Sequence, residues 1–186
     1  MNETNNPSAV RSKTEITQAL ISLMKKYPYN EITVKQIILE ARLARKTFYR
    51  NFESKDDVLL SLLRGVLREY FDTVNDAKGD MLTTVFEFAD RNRDLLFLLD
   101  RNDMLYVLLN CVNEYLPFLR NRYLSGNNPT VKLFEGLDEE YLISMNIGAM
   151  FNVITLWVHR GMSEPPGEVK QTLYEYLQRL RNYGLS

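Results

Sequence analysis

From Ile16 to Leu180 the apolar residues of this chain return mostly at spacings of three and four. That is the period of one face of an α-helix, not of a strand. Only short runs such as Glu31–Val34 have any strand character, so the expected fold class is all-α. The helical runs break at 27–30, 77–79, 125–129 and 161–167. Each break holds Gly, Pro or Asn, which end helices by relaxing or removing a backbone constraint. A chain of 186 residues can bury a sizeable core in one or two domains.

The N-terminal part resolves into four short runs. Ile16, Ala19, Leu20, Leu23 and Met24 form the stripe of an amphipathic helix between Arg11 and Tyr27, which Pro28 stops. Thr33 stands where an N-cap belongs, and Val34, Ile37, Ile38 and Ala41 line a second, short helix. A tight connection at Arg42–Leu43 leads into a third helix over about 44–51. Ser54, followed by Asp57 at the third helical position, forms a capping-box-like start to a fourth helix carrying Val58, Leu59, Leu62, Leu63, Val66, Leu67, Tyr70 and Phe71.

The third helix carries the main functional signal. At about 100° per residue, Ala44, Phe48 and Phe52 share one apolar face, while Lys46 and Arg50 point the opposite way with Tyr49 beside them. Two phenylalanines pin such a helix to a core, and its outer face offers Arg45, Lys46, Tyr49 and Arg50. A short helix, a tight turn and a second short helix bearing outward Arg and Lys is the arrangement of a helix-turn-helix entering the major groove. Arg and Lys suit guanine O6 and N7, and hydroxyls suit phosphates. A solvated charged face would show the same pattern. Charge distribution bears on the choice: residues 11–55 hold ten basic and four acidic side chains, a net +6, whereas the whole chain is −1. A basic module on a mildly acidic body suits a DNA-binding head on a body that does not bind DNA.

At these positions the chain resembles the TetR/AcrR family of bacterial regulators. The resemblance rests on Ile32-Thr33-Val34-Lys35-Gln36-Ile37, Ala41, Thr47-Phe48-Tyr49-Arg50-Asn51-Phe52 and Ser54-Lys55-Asp56, taken jointly over about residues 11–62. It implies a three-helix DNA-binding domain followed by a helical ligand-binding and dimerisation domain. The expected division is a flexible N-terminus over 1–10, the helix-turn-helix over 11–55 with a connecting helix over 54–75, and a regulatory domain over 56–186. The resemblance further implies that Thr33 caps the second helix and touches phosphate, with Lys35 near the DNA backbone. By the same token Arg45, Lys46 and Arg50 face base edges, Thr47 and Tyr49 contact phosphates, and Lys55 anchors a phosphate at the start of the fourth helix. Two positions depart from the family pattern. Arg42 replaces the usual glycine of the turn, so either a left-handed arginine is tolerated or the turn is altered and Arg42 becomes an extra phosphate ligand. Ala44 replaces a common serine, so the third helix loses its usual cap.

Further helices are expected over 80–91, 93–100, 103–124, 138–160 and 165–182. The stretch from Trp157 to Gly161 with Pro165 is similar to the ending of some TetR-like bodies. The 138–160 helix is apolar nearly all round and needs cover on two sides. Its own body supplies one side. The other is expected to be a second subunit, through Tyr141, Gly148 and Phe151 together with Leu173, Tyr176 and Leu177 of the last helix. Leu142–Val158 has no charged residue, yet it is short for a membrane span of roughly 20 apolar residues. It also holds Ser144, Asn146, Asn152 and Thr155, so no membrane association is expected. Phe86, Tyr106, Asn110, Tyr115, Asn146, Met150 and Trp157 could line a pocket for a small-molecule inducer; the same residue types also make an ordinary aromatic core.

Enzymatic chemistry finds little footing. There is no Gly-rich phosphate loop and no paired metal ligands, and His159 with Cys111 makes a weak dyad at best. No catalytic residue, cofactor or metal is therefore expected. A single cysteine excludes an internal disulfide and suits a reducing cytosol. The polar start Met1–Ser8 reads as no signal peptide, so a cytoplasmic location is expected. The expectation is a ligand-responsive repressor that binds a palindromic operator as a homodimer. The alternative is a coactivator or interaction protein of the same fold whose body binds a protein partner.

Overall fold

A computed structural model describes residues 7–76, 81–115 and 136–183. Among the described residues the regular structure is helical throughout, with no strand. The helices are α1 (Pro7–Met24), α2 (Val34–Glu40), α3 (Arg45–Asn51), α4 (Lys55–Asp76), α5 (Met81–Arg91), α6 (Arg93–Arg101), α7 (Leu105–Asn113), α8 (Glu139–His159) and α9 (Pro166–Asn182). A 3₁₀ turn, Tyr29–Glu31, lies between α1 and α2. The chain divides into two compact units, 1–68 and 69–186.

In the first unit α1 packs on both α2 and α3. Ile16, Leu20 and Met24 of α1, Ile37 of α2 and Phe48 of α3 are buried together with Phe52, Val58 and Leu59. Three capping arrangements hold the short elements. Thr33 Oγ1 accepts from the Gln36 backbone N–H (3.3 Å), and Gln36 Oε1 accepts from the Thr33 backbone N–H (2.8 Å), a reciprocal capping box at α2. Ser54 Oγ accepts from the Asp57 N–H (3.1 Å), while the Asp57 carboxylate accepts from the N–H of Glu53, one residue upstream of the expected partner (3.0 Å). Lys55 Nζ donates to the carbonyls of Tyr29 (2.7 Å), Asn30 (3.2 Å) and Ile32 (2.9 Å), and the Tyr29 hydroxyl donates to Asp56 (2.5 Å). The start of α4 is thereby bonded to the turn that connects α1 and α2.

In the second unit α8 packs on α6 and α7, and α9 packs on α5. Its core holds Phe71, Phe86, Leu96, Leu99, Cys111, Ile143, Trp157 and Val158. Phe86 meets Trp157 edge-on at 5.6 Å between ring centroids, and Phe71 stacks on Tyr115 at 4.6 Å. The Trp157 indole N–H donates to the Glu164 carbonyl (3.0 Å), and the Arg93 guanidinium donates to the Met162 carbonyl (3.0 Å). His159, exposed at the end of α8, lies with Nε2 2.7 Å from a carboxylate oxygen of Asp100 on α6. Helix α8 is long and apolar enough to cross a membrane by length and composition alone, but only Ile143, Trp157 and Val158 along it are fully buried.

Two element boundaries differ from expectation. Helix α1 begins at Pro7, so residues 7–10 are helical rather than part of a tail; proline suits a first helical position, where its missing N–H is not needed. The helix expected over 103–124 runs only from Leu105 to Asn113 before a turn at 114–115, and its remainder lies outside the described residues.

Phe48 is fully buried under a helix of only 7 residues. Phe48→Ala is expected to lower the unfolding free energy by about 3–5 kcal/mol. The check is a urea titration followed by circular dichroism.

Candidate nucleic-acid interface

The outer face of α3 is built as its spacing requires. Phe48 and Phe52 are 0% and 4% exposed, and Arg45, Lys46, Tyr49 and Arg50 all lie on the exposed side. Phe48 meets the Tyr49 ring edge-on at 5.4 Å, and the Arg45 guanidinium lies over the same ring at 5.4 Å. These contacts orient Tyr49 from beneath and beside while leaving it 48% exposed. Lys35, Lys46 and Arg50 are exposed and make no hydrogen bond or ion pair among the described residues. Thr47 is half-buried, and its carbonyl accepts from the Asn51 side-chain amide (2.7 Å).

The remaining expected contacts fall differently. The Thr33 hydroxyl donates to Gln36 Oε1 (2.7 Å) while accepting from the Gln36 backbone, so its proton is spent on capping α2. Lys55 is half-buried, with its three N–H donors directed to backbone carbonyls and its ammonium 4.6 Å from the Tyr29 ring centroid. An ammonium has three donors, so Lys55 would have to break a bond here to meet a phosphate. Sequence could not reveal this, because its partners are carbonyls of a 3₁₀ turn. Arg42 is exposed and keeps the left-handed backbone of the turn at φ 55°. Glu40 accepts from Ser22 Oγ (2.6 Å) and from Lys26 Nζ (3.5 Å). The Ser22 hydroxyl first, then Lys26, holds its carboxyl below the usual carboxylate range.

In the second unit the seven residues expected to line a pocket are dispersed. Phe86 and Trp157 are core, Tyr115 and Met150 are half-buried, and Tyr106, Asn110 and Asn146 are exposed. A shallow cleft is lined instead by Leu137, Asp138, Glu139 and Glu140, none of them expected. The residues expected at a subunit seam lie largely outward: Tyr141, Tyr176 and Leu177 are exposed, and Gly148, Phe151 and Leu173 half-buried. Met145 and Leu156 extend the α8 stripe at exposed positions that the seam reading passed over, although their spacing from Tyr141 places them on its face.

A two-helix reading head pinned by aromatic residues, with unpaired cations outward, is a helix-turn-helix DNA-binding domain. Residues 16–62 match the family of bacterial regulatory proteins described as the tetR family. Over 100 residues the chain is 27% identical to the HTH-type dhaKLM operon transcriptional activator DhaS of Lactococcus lactis subsp. lactis strain IL1403. That match covers 48% of this chain and only 54% of the relative's length. Among solved structures, the TetR transcriptional regulator from Streptococcus agalactiae 2603V is similar with a TM-score of 0.66 and 24% identity, over 94% of this chain and 96% of that one. The fatty acid degradation regulator FadR from Bacillus halodurans is similar with a TM-score of 0.60 and 18% identity, over 86% and 91%. These two establish the fold. Residues 16–62 thus form a DNA-binding domain of the tetR-family type.

Ala44 is the N-cap of α3, with extended backbone (φ −74°, ψ 145°) and no side-chain cap bond. Ala44→Ser supplies a hydroxyl for an unpaired N–H of the first turn and is expected to raise stability by about 1 kcal/mol. A higher urea midpoint at an unchanged slope is the expected result.

Proposed function

We propose that this regulator binds a palindromic DNA operator as a homodimer, in the cytoplasm, and represses transcription until a small molecule releases it. The observation that carries the DNA part is the exposed, unpaired row on α3, held outward by buried Phe48 and Phe52. In this reading Lys46, Arg50 and Arg45 meet base edges, and Tyr49, Thr47 and Lys35 meet phosphates. Thr33 and Lys55 serve chiefly to shape the head. The proposed reading head occupies 16–62, and the second unit is the regulatory body.

Dimerisation is supported by α8 and α9. Tyr141, Met145 and Leu156 on α8, and Tyr176 and Leu177 on α9, are large apolar side chains between 50% and 78% exposed. A face of this kind is costly in water, and Gly148 and Ala149 permit close approach of a second helix. Two recognition helices about 34–36 Å apart would then read the two halves of one site. The sign of regulation has a second reading. The Lactococcus relative is named an activator. The exposure of Tyr106, Asn110 and Asn146 also favours a body that binds a protein partner rather than enclosing a small molecule.

The test is fluorescence anisotropy of the full chain on its own upstream DNA over a salt series. Tight binding to one fragment with a steep salt dependence is expected. Lys46→Ala should weaken it by about 1–3 kcal/mol, and Tyr49→Phe should weaken it by less. Equal, weak binding to every fragment, with both variants unchanged, would remove the DNA reading. For the dimer, sedimentation equilibrium should give twice the mass of one chain, and Leu156→Glu combined with Tyr176→Glu should give a folded monomer. A wild-type monomer at micromolar concentration would overturn the proposed seam.

A further inference from the structure

Three helices end in the same hydrogen-bonded motif, and the residue at its left-handed position differs in each. At α2, the Arg42 N–H donates to the Leu39 carbonyl (3.1 Å) and the Leu43 N–H to that of Ile38 (3.2 Å). At α6, Asp103 donates to Asp100 (3.0 Å) and Met104 to Leu99 (2.8 Å). At α8, Gly161 donates to Val158 (2.8 Å) and Met162 to Trp157 (2.8 Å). The pivots Arg42, Asp103 and Gly161 have φ of 55°, 55° and 74°, and at α8 the next residue, Met162, is left-handed as well at 48°. This closure needs a backbone N–H and a positive φ, and nothing from a side chain. Glycine adopts that φ without penalty, and aspartate is among the residues that tolerate it. Arginine has neither advantage.

The fold makes little use of the side chain that makes this position costly. Arg42 is exposed and forms no hydrogen bond or ion pair among the described residues; its one interaction there is a coulombic pull on the Glu40 carboxylate, the smallest of the influences on that group. The acid nearest in sequence, Glu40, is already engaged by Ser22 and Lys26. The turn Arg42–Ala44 leads directly into the helix that carries Arg45, Lys46 and Arg50. It lies outside that helix, which places it beside a groove rather than in it. A guanidinium there matches a phosphodiester through paired N–H donors.

We propose that Arg42 is a DNA-phosphate ligand retained against the stability of the fold. The proposal rests on the DNA-binding reading above. The ligand is the sugar–phosphate backbone, so operator and scrambled DNA should both feel the loss of Arg42.

The experiment compares the full chain with Arg42→Gly, Arg42→Ala and Arg42→Lys. Thermal unfolding is measured for each, and anisotropy is measured on the preferred fragment and a scrambled duplex from low to high salt. Arg42→Gly should melt about 2–4 °C higher. Arg42→Gly and Arg42→Ala should both bind about tenfold more weakly on both duplexes, with the salt slope reduced by about one per subunit. Arg42→Lys should retain most of the affinity. Arg42→Ala binding like wild type with an unchanged slope would overturn the proposal, as would weakening in Arg42→Gly alone, which would assign the effect to turn flexibility. An Arg42→Gly protein no more stable than wild type would overturn the claimed cost. A wild-type protein that prefers no fragment overturns the underlying reading, and is recognised before any variant is measured.

Discussion

The structure of the reading head depends on the seating of two phenylalanine rings. Helix α3 has 7 residues and no side-chain cap, which is far too short to persist as an isolated helix in water. Phe48 and Phe52 supply what length and capping do not: their burial fixes the rotation of the helix about its axis. That rotation decides which residues meet a partner. With Phe48 inward, Arg45, Lys46, Tyr49 and Arg50 have to point outward. Recognition chemistry in this chain is thus a by-product of core packing, and a void beneath the helix would misdirect every cation on it.

Much of this was legible from spacing, because a helical period and a buried ring leave few alternatives. The positions of α2, α3 and α4 follow from Thr33, the Phe48/Phe52 pair and Ser54, each acting through contacts a few residues away. What escaped depends on distant or unmarked partners. Lys55 has the residue type of a phosphate ligand, yet its donors go to carbonyls of residues 29, 30 and 32, well over 20 positions earlier. The end of α7 at Asn113 was legible in principle, since Pro117 stands three residues past its C-cap, Glu114, a stop signal that the helix expected over 103–124 ran through. In the second unit, aromatic residue type alone did not separate Phe86 and Trp157, which are core, from Tyr106, which is 59% exposed. The start of α1 was legible in principle, since Pro7 is a known first-turn residue.

The second unit presents the opposite physical situation from the head. Its helices α8 and α9 leave large apolar side chains uncovered, and α9 has no buried residue at all. The helix pairs α8 with α6 and α9 with α5 use one face of each and leave another unmatched. The head leaves cations exposed on α3, while the body leaves apolar surface exposed on α8 and α9. Each unit thus exposes the kind of group that its proposed partner would cover.

Lys55 has a consequence of another kind. Held against three carbonyls and an aromatic face, its ammonium is an immobile charge in the head. Such a charge still contributes to the field that draws a polyanion in from solution. Without touching a phosphate it displaces no condensed cation. It should act on the speed of encounter more than on the lifetime of the complex, so counting the head's net charge is a guide to how fast DNA is found and a poor one to how long it is held.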